Sequence, residues 1–151
     1  MLHDEITNKI KIQISDIDTE ISDVSELLNK VKTSDPDKIE LKALATVLHS
    51  FYNGIEKIFS IIAKDVDNDF PDDSFWHRKL IKQMNSKTNN REKVISDKLL
   101  EKLDGYLAFR HYYRHSYSFY LDWNLIKDLV NDIESTKTSF NTEILNFIKN
   151  Q

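Results

Sequence analysis

The chain contains almost none of the residues that interrupt helices. Among its 151 residues there are only two glycines and two prolines, the two types that most disfavour a helix interior. Such a chain is expected to form long helices joined by few turns. Hydrophobic residues make up 40% and charged residues 30% of it, the balance of a soluble globular protein. The length favours one domain, residues 1–151, with a core large enough to fold alone.

The sequence also limits the compartment and the metal chemistry. There is no cysteine, which excludes disulfides and cysteine-ligated zinc and favours a reducing cytoplasm. The N-terminal MLHDEITNKIKIQI lacks the basic start and unbroken apolar run of a signal peptide. No apolar stretch approaches the roughly 20 residues that span a bilayer. We therefore expect a cytoplasmic protein that has no membrane partner.

Two long amphipathic stripes occupy the first part of the chain. Residues 4–32 predict a first helix whose apolar side chains are spaced by three and four: Ile10, Ile14, Ile17, Ile21, Val24, Leu28 and Val31. In TSDPDK, Asp35 is the expected N-cap and Pro36 the first residue of the second helix. That helix repeats the stripe with Leu41, Leu44, Leu48, Phe51, Ile55, Ile58 and Ile62. Two such helices joined by a short loop predict an antiparallel hairpin, with Gly54 permitting a close contact.

Three further helices complete the predicted bundle. SFWHRKLIKQM predicts a short third helix capped by Asp73 or Ser74, and Ser96 is the expected cap of a fourth. SYSFYL is interpreted as a turn, after which Asp122 caps a fifth helix. The apolar side of that helix consists of Leu125, Ile126, Leu129, Ile133, Phe140, Ile144 and Phe147. The prediction is an all-α bundle of about five helices.

Charge is distributed unevenly along the chain. The formal net charge is -4, which is atypical of a nucleic-acid-binding protein taken as a whole. Residues 74–115, however, contain ten Lys or Arg and four Asp or Glu, so this segment carries +6 and the remainder -10. A local basic face is compatible with a polyanionic ligand. A solvated lysine-rich pair of helices is the alternative.

The stretch FRHYYRHSY, residues 109–117, concentrates the polar chemistry of this basic segment. Arg110 and His115 are five residues apart, which separates them by about 140° around a straight helix. They can converge on one ligand only if the helix ends near Tyr113 or Arg114. The end of the helix is expected within HSYSFYLD.

Arginine and histidine together suit RNA cleavage. Arginine offers a fixed fork of donors to a phosphate and stabilises charge that develops there. Histidine exchanges protons near neutral pH. Arg110 and His115 could thus promote attack of a ribose 2′-OH on the adjacent phosphate, while Tyr112, Tyr113 and Tyr117 stack on unpaired bases. A plain polar helix end remains the alternative.

Other pairs in the same stretch allow other sites. His111 and His115 have the four-residue spacing of two metal ligands on one helical face, but no third ligand is evident. We therefore expect no metal. Arg110 and Arg114 are also four apart and could clamp an anion.

The remaining candidates lie outside the stretch. His77 follows a tryptophan and is interpreted as a helix-face residue rather than a catalyst. His3 and His49 have no supporting context. Glu56, inside the apolar second helix, is either exposed or a buried partner for an arginine such as Arg110.

The string from Arg110 to His115, Ser116 and Tyr117 resembles the R-x4-H-x-Y motif of HEPN-domain ribonucleases, in particular the HepT-like toxins. LHSFYNGIEKIF, FWHRKLIKQM and YLAFRHYYRHSYSFYLDW resemble segments of the same family in the same order. The resemblance covers roughly residues 40–148. The first helix fits it only as a long amphipathic helix.

The resemblance implies an all-α, HEPN-like fold and a homodimer whose facing motifs build one basic cleft. It implies metal-independent RNA cleavage by Arg110 and His115, with no cofactor. It further implies an antitoxin that is a small nucleotidyltransferase, which can silence the toxin by adding AMP to the motif tyrosine, here Tyr117. His111 departs from the family pattern, in which a small polar residue usually follows the arginine.

Two functional hypotheses follow. The first is an endoribonuclease toxin that cuts tRNA or mRNA and does not act on DNA, with His111, Arg114 and Tyr113 supporting the site or binding substrate. The second is a non-catalytic module in which the same cleft binds a nucleotide or a partner enzyme. The overall acidic charge and the unusual His111 motivate the second.

Overall fold

The computed structural model describes residues 2–117 and 120–151, and this part of the chain is helical with no strand. The predicted all-α fold is confirmed, with six helices rather than five. In chain order these are α1 (Asp4–Ser22), α2 (Ser25–Lys30), α3 (Lys38–Asp65), α4 (Trp76–Met84), α5 (Asp97–His115) and α6 (Trp123–Lys149).

The sixth helix arises because the predicted first helix is interrupted. Between α1 and α2 the Val24 N–H donates to the Ile21 carbonyl at 3.2 Å, a tighter turn than that of an α-helix. Val24 itself has φ −113° and ψ 16°, outside the helical region. The apolar stripe nevertheless continues past the break, since Leu28 and Val31 are both buried.

The start of α3 lies two residues beyond the predicted position. Asp37, not Asp35, is the N-cap: its Oδ1 accepts from the Glu40 N–H at 2.8 Å, and Glu40 Oε1 accepts from the Asp37 N–H at 3.0 Å. This capping box satisfies two backbone donors at once. Asp35 has a lysine three residues later and cannot form one, so the placement of Pro36 in the helix was wrong.

The helices α1 and α3 form the predicted antiparallel hairpin. Lys9 near the start of α1 is 3.4 Å from Asp65 at the end of α3. Midway, Gly54 faces Ile17 so closely that a Cβ at position 54 would lie 2.6 Å from Ile17 Cγ1. The predicted close contact at Gly54 is therefore present.

A second antiparallel pair, α5 and α6, packs across α3. Tyr106 Oη donates to the Leu129 carbonyl at 2.7 Å, and edge-on ring contacts join α3 to the pair at Phe51–Tyr106 and Phe59–Phe140. The predicted caps are confirmed, because the side chains of Ser96 and Asp122 accept from the first turns of their helices. Leu125, predicted to face the core, is instead 67% exposed.

The short helix α4 is fixed against α3 by the loop that follows it. Arg91 is buried and forms two 2.7 Å hydrogen bonds to the carboxylate of Asp67. One of the ten basic residues of segment 74–115 is thus structural and does not belong to any exposed basic face. The N-cap of α4 is Phe75, not Asp73 or Ser74, although Asp73 Oδ1 accepts from the Phe75 N–H at 2.8 Å.

None of the helices described here is long and apolar enough to cross a membrane.

Candidate functional site

The helix α5 runs without interruption through the polar stretch. It ends at His115, and Ser116 follows with extended backbone angles of −129° and 151°. The end falls within HSYSFYLD as predicted, but there is no break between Arg110 and His115. Tyr113 holds the last turn in place, since its ring packs against His49 at 4.7 Å and Phe109 at 5.8 Å. Arg110 and His115 therefore leave the helix about 140° apart.

Arg110 points towards α3 and is largely covered. Its side chain is 12% exposed, and its Nε donates to Asn53 Oδ1 at 3.2 Å. The same Nε lies 3.6 Å from Glu56 Oε1. Of the two interpretations of Glu56, the structure shows the buried partner of Arg110. The guanidinium is thereby held in one orientation at the surface of α3.

Glu56 accepts a further hydrogen bond with its other oxygen. Its side chain is 7% exposed, and Oε2 accepts a 2.7 Å hydrogen bond from Nδ1 of His77 on α4. His77 lies on the face of α4 that meets α3, a contact that the interpretation as a helix-face residue did not include. One buried carboxylate joins Arg110 of α5 to His77 of α4.

A second layer of polar residues on α3 supports Arg110. The Asn53 amide Nδ2 donates to His49 Nε2 at 3.0 Å, while its oxygen holds the arginine. Burial, and then the charges of Arg110 and Arg114, lower the pKa of His49 below its usual 6.5. His49 is thus held in the neutral form that can accept from Asn53.

An open cleft of about 410 Å³ lies between the start of α4 and the middle of α5. His77 and Arg110 lie on its lining beside His111, together with the apolar side chains of Leu107 and Ala108. Imidazole and guanidinium groups above an apolar floor are suited to a ligand that carries both phosphate and a base.

His115 adjoins this cleft through His111. The two rings are 4.6 Å apart on the exposed side of α5, and Arg114 is exposed beside them. In the described part of the chain no group of three or more His, Asp or Glu side chains is arranged to hold a metal ion.

The chain matches the family of HepT-like proteins over residues 43–151. It belongs to the HepT-like family. The match extends from the first turns of α3 to the C-terminus, so the cleft and the whole polar stretch lie within it, whereas α1 and α2 precede it. At the level of the family, this associates the chain with HEPN-type toxin ribonucleases. No curated protein and no solved structure is significantly similar to the chain.

The tyrosines of this HepT-like chain differ in their exposure. Tyr117, just beyond α5, is 72% exposed, whereas Tyr113 is half-buried against α3 and lies 3.3 Å from the Thr46 hydroxyl. Tyr112 Oη donates to the Tyr120 carbonyl at 2.8 Å and fastens the segment after α5 to that helix. The turn predicted at SYSFYL includes Ser118 and Phe119, which lie outside the described residues.

Sequence reasoning located the α5 half of this constellation and offered Glu56 as a partner for Arg110, but it gave no role to Asn53, His49 or His77. A signal was present: His49, Asn53 and Glu56 are polar residues spaced by four and three within α3. That spacing places them on one face. The identity of their partners depends on how α4 and α5 pack, which no local pattern contains.

Proposed function

We propose that this HepT-like protein is a metal-independent endoribonuclease and the toxin of a toxin–antitoxin pair. The observation that carries the proposal is the orientation of Arg110 by buried Glu56 and by Asn53 at a cleft that also presents histidines. Membership of the HepT-like family supports the same reading. The substrate class is RNA, either tRNA or mRNA, because the reaction needs a ribose 2′-OH.

In the proposed reaction the 2′-oxygen attacks the adjacent phosphorus and the bond from phosphorus to the 5′-oxygen breaks. Arg110 stabilises the negative charge that grows on the phosphate. His115 transfers a proton at the reacting oxygens. The products are a 2′,3′-cyclic phosphate and a free 5′-hydroxyl, so neither water nor a metal ion is consumed.

Three neighbouring residues support these two. Arg114, exposed on the last turn of α5, provides a second cation for the RNA backbone, and His111 lines the cleft next to Arg110. Tyr113 is packed against His49 and Phe109, so its part in the proposal is to fix the end of α5.

The proposal includes a homodimer. Since α5 does not break, Arg110 and His115 of one chain diverge, and a second copy facing the first can bring its own His115 to the cleft. Such a twofold arrangement builds a composite site from two identical motifs.

Cleavage by the purified protein tests the central claim. In EDTA, the wild-type protein should degrade RNA, and His115→Ala should abolish this activity while His3→Ala, a histidine at the start of α1, should not. Equal activity of wild type and His115→Ala would exclude the assignment. In cells, expression should arrest growth and Arg110→Ala should relieve the arrest.

The antitoxin in this proposal is a small nucleotidyltransferase that transfers AMP to Tyr117. The exposure of Tyr117 makes it accessible to such an enzyme. Incubation with the nucleotidyltransferase encoded beside the gene, in the presence of ATP, should add the mass of AMP to the wild-type chain. If Tyr117→Phe is modified equally well, Tyr117 is not the acceptor.

A second candidate function is a non-catalytic module that binds a nucleotide or a partner enzyme. The observation that favours it is the engagement of Arg110 by Glu56 and Asn53 on an unbroken helix, which is equally suited to binding an anion. It predicts no cleavage together with tight association with the nucleotidyltransferase. A pull-down that recovers no such partner would argue strongly against it.

A further inference from the structure

The hydrogen bond between His77 and Glu56 has no role in the reaction as proposed above. A histidine bound through one ring nitrogen to a buried carboxylate is oriented and fixed in one tautomer. We propose that His77 is a catalytic residue, the proton acceptor for the attacking ribose 2′-OH, and that Glu56 orients it and stabilises the imidazolium that forms. This inference rests on the proposed ribonuclease function and extends it.

The geometry leaves one nitrogen of His77 for substrate. Nδ1 donates to Glu56 Oε2 at 2.7 Å, so Nε2 is the ring nitrogen that can accept a proton. The ring is 24% exposed and lines the cleft that Arg110 and His111 also line. A phosphate held by Arg110 would therefore have its neighbouring 2′-OH within the same cleft as Nε2.

The charges around His77 favour the imidazolium that forms when it accepts a proton. The buried carboxylate of Glu56 contacts the ring directly, and the guanidinium of Arg78 on the same helix is paired with Asp104 of α5 at 3.4 Å. The groups that face the ring from α5 are the guanidinium of Arg110, which shares Glu56, and the imidazole of His111.

The proton balance needs two groups: His77 lines the cleft, and the facing copy of the proposed homodimer brings its His115. The 2′-OH gives its proton to Nε2 of His77 as the bond from the 2′-oxygen to phosphorus forms. The bond to the 5′-oxygen breaks, and that oxygen receives a proton from the imidazolium of His115. Exchange with solvent returns each histidine to its starting form, so no further reactant is required.

The first test is the pH–rate profile of a variant that keeps the contact to Glu56. In His77→Asn the amide Nδ2 occupies roughly the place of Nδ1 and still donates to Glu56, but no nitrogen remains to accept the proton. We expect kcat to fall by about 100- to 10,000-fold with little change in KM, and the acidic limb of the profile to disappear. His3→Asn, the same substitution at the cap of α1, should leave rate and profile unchanged.

A second variant separates a chemical role from a structural one. Glu56→Gln retains a hydrogen-bond acceptor but removes the charge that stabilises the imidazolium, so the acidic limb should move to lower pH. Its thermal unfolding is measured in parallel, so that the profile is read at a temperature where the variant is folded.

A substrate with an activated leaving group distinguishes the two histidines. A uridine 3′-(para-nitrophenyl phosphate) needs no proton at the departing oxygen. On this substrate His115→Ala should recover activity, whereas His77→Asn should remain slow. If His77→Asn keeps the wild-type profile, or recovers as His115→Ala does, His77 is not the acceptor although the ribonuclease function stands. If the wild-type protein cleaves neither RNA nor this substrate, both proposals fail.

Discussion

Glu56 is a single buried carboxylate that contacts side chains from two other helices. Arg110 lies 3.6 Å from one oxygen and His77 2.7 Å from the other. Replacement by alanine leaves the covered guanidinium of Arg110 without its counter-ion, and breaking a buried pair in this way costs about 3 kcal/mol or more. We expect Glu56→Ala to lose about that much free energy of unfolding in urea titrations.

The matched control is Glu101→Ala on α5, where the glutamate is exposed. It should change the free energy of unfolding by less than about 0.5 kcal/mol. A Glu56→Ala protein as stable as this control would mean that solvent compensates Arg110 and His77.

The environment of His49 leads to a separate prediction about how the free energy of unfolding depends on pH. Its pKa is lowered mainly by burial and then by Arg110 and Arg114, so near pH 6 the unfolded chain binds more protons at this residue than the folded one. The resulting stability is complete above about pH 6.5 and is lost as pH falls towards the lowered pKa.

The variant His49→Gln cannot titrate but can still accept from Asn53. As pH falls from about 7 to about 5, the wild-type protein should lose free energy of unfolding relative to this variant. Denaturant unfolding at each pH measures it, and the other histidines cancel in the comparison. A difference independent of pH would show that His49 has an ordinary pKa.

At the scale of helices, the contact of α1 with α3 depends on the missing side chain of Gly54. An added Cβ would lie 2.6 Å from Ile17 Cγ1, and this atom of a β-branched side chain moves only if χ1 leaves its preferred rotamer. Overpacking costs about 1–3 kcal/mol, whereas alanine gains about 1 kcal/mol in helix propensity over glycine. Gly54→Ala should therefore destabilise the protein, by about 1 kcal/mol.

Gly105→Ala is the control for this prediction, because it carries the same gain in propensity. Its Cβ would meet Leu129 Cδ2 at 3.0 Å, the end of a flexible side chain that can move. In thermal unfolding, Gly105→Ala should have a higher melting temperature than Gly54→Ala. The reverse order would show that α1 and α3 can separate without loss.

The helices were predictable because their apolar spacing is a local property. Ser96 and Asp122 act as caps in the structure as the sequence indicated. The start of α3 differs from the prediction because the reciprocal contacts of Asp37 and Glu40 outweigh the preference of Pro36 for the first helical position. The break at Val24 was missed because the apolar spacing continues across it.

At the scale of the whole molecule, the candidate site is assembled from three helices that are distant in sequence. The α5 residues Arg110 and His115 stand out in a dense polar stretch, so they could be named without a structure. His77 and Asn53 could not, because each is an isolated polar residue until packing sets it beside its partner. The role of Arg91 could not be predicted for the same reason: the sequence shows a basic residue, and only the packing shows that it is buried against Asp67.

The unbroken α5 leads to a prediction about the assembled protein. If Arg110 of one copy works with His115 of the other, then Arg110→Ala and His115→Ala should each be inactive alone but complement one another when mixed. Random re-pairing makes half of the dimers mixed, each with one intact site, so about a quarter of wild-type RNase activity should return. Light scattering must show dimers, and subunits must be exchanged by mild denaturation and refolding.

A mixture of His115→Ala with the double variant Arg110→Ala/His115→Ala is the control and should stay inactive. Should the first mixture also remain inactive although mixed dimers are present, the two residues act within one chain, and the end of α5 must then rearrange around the RNA.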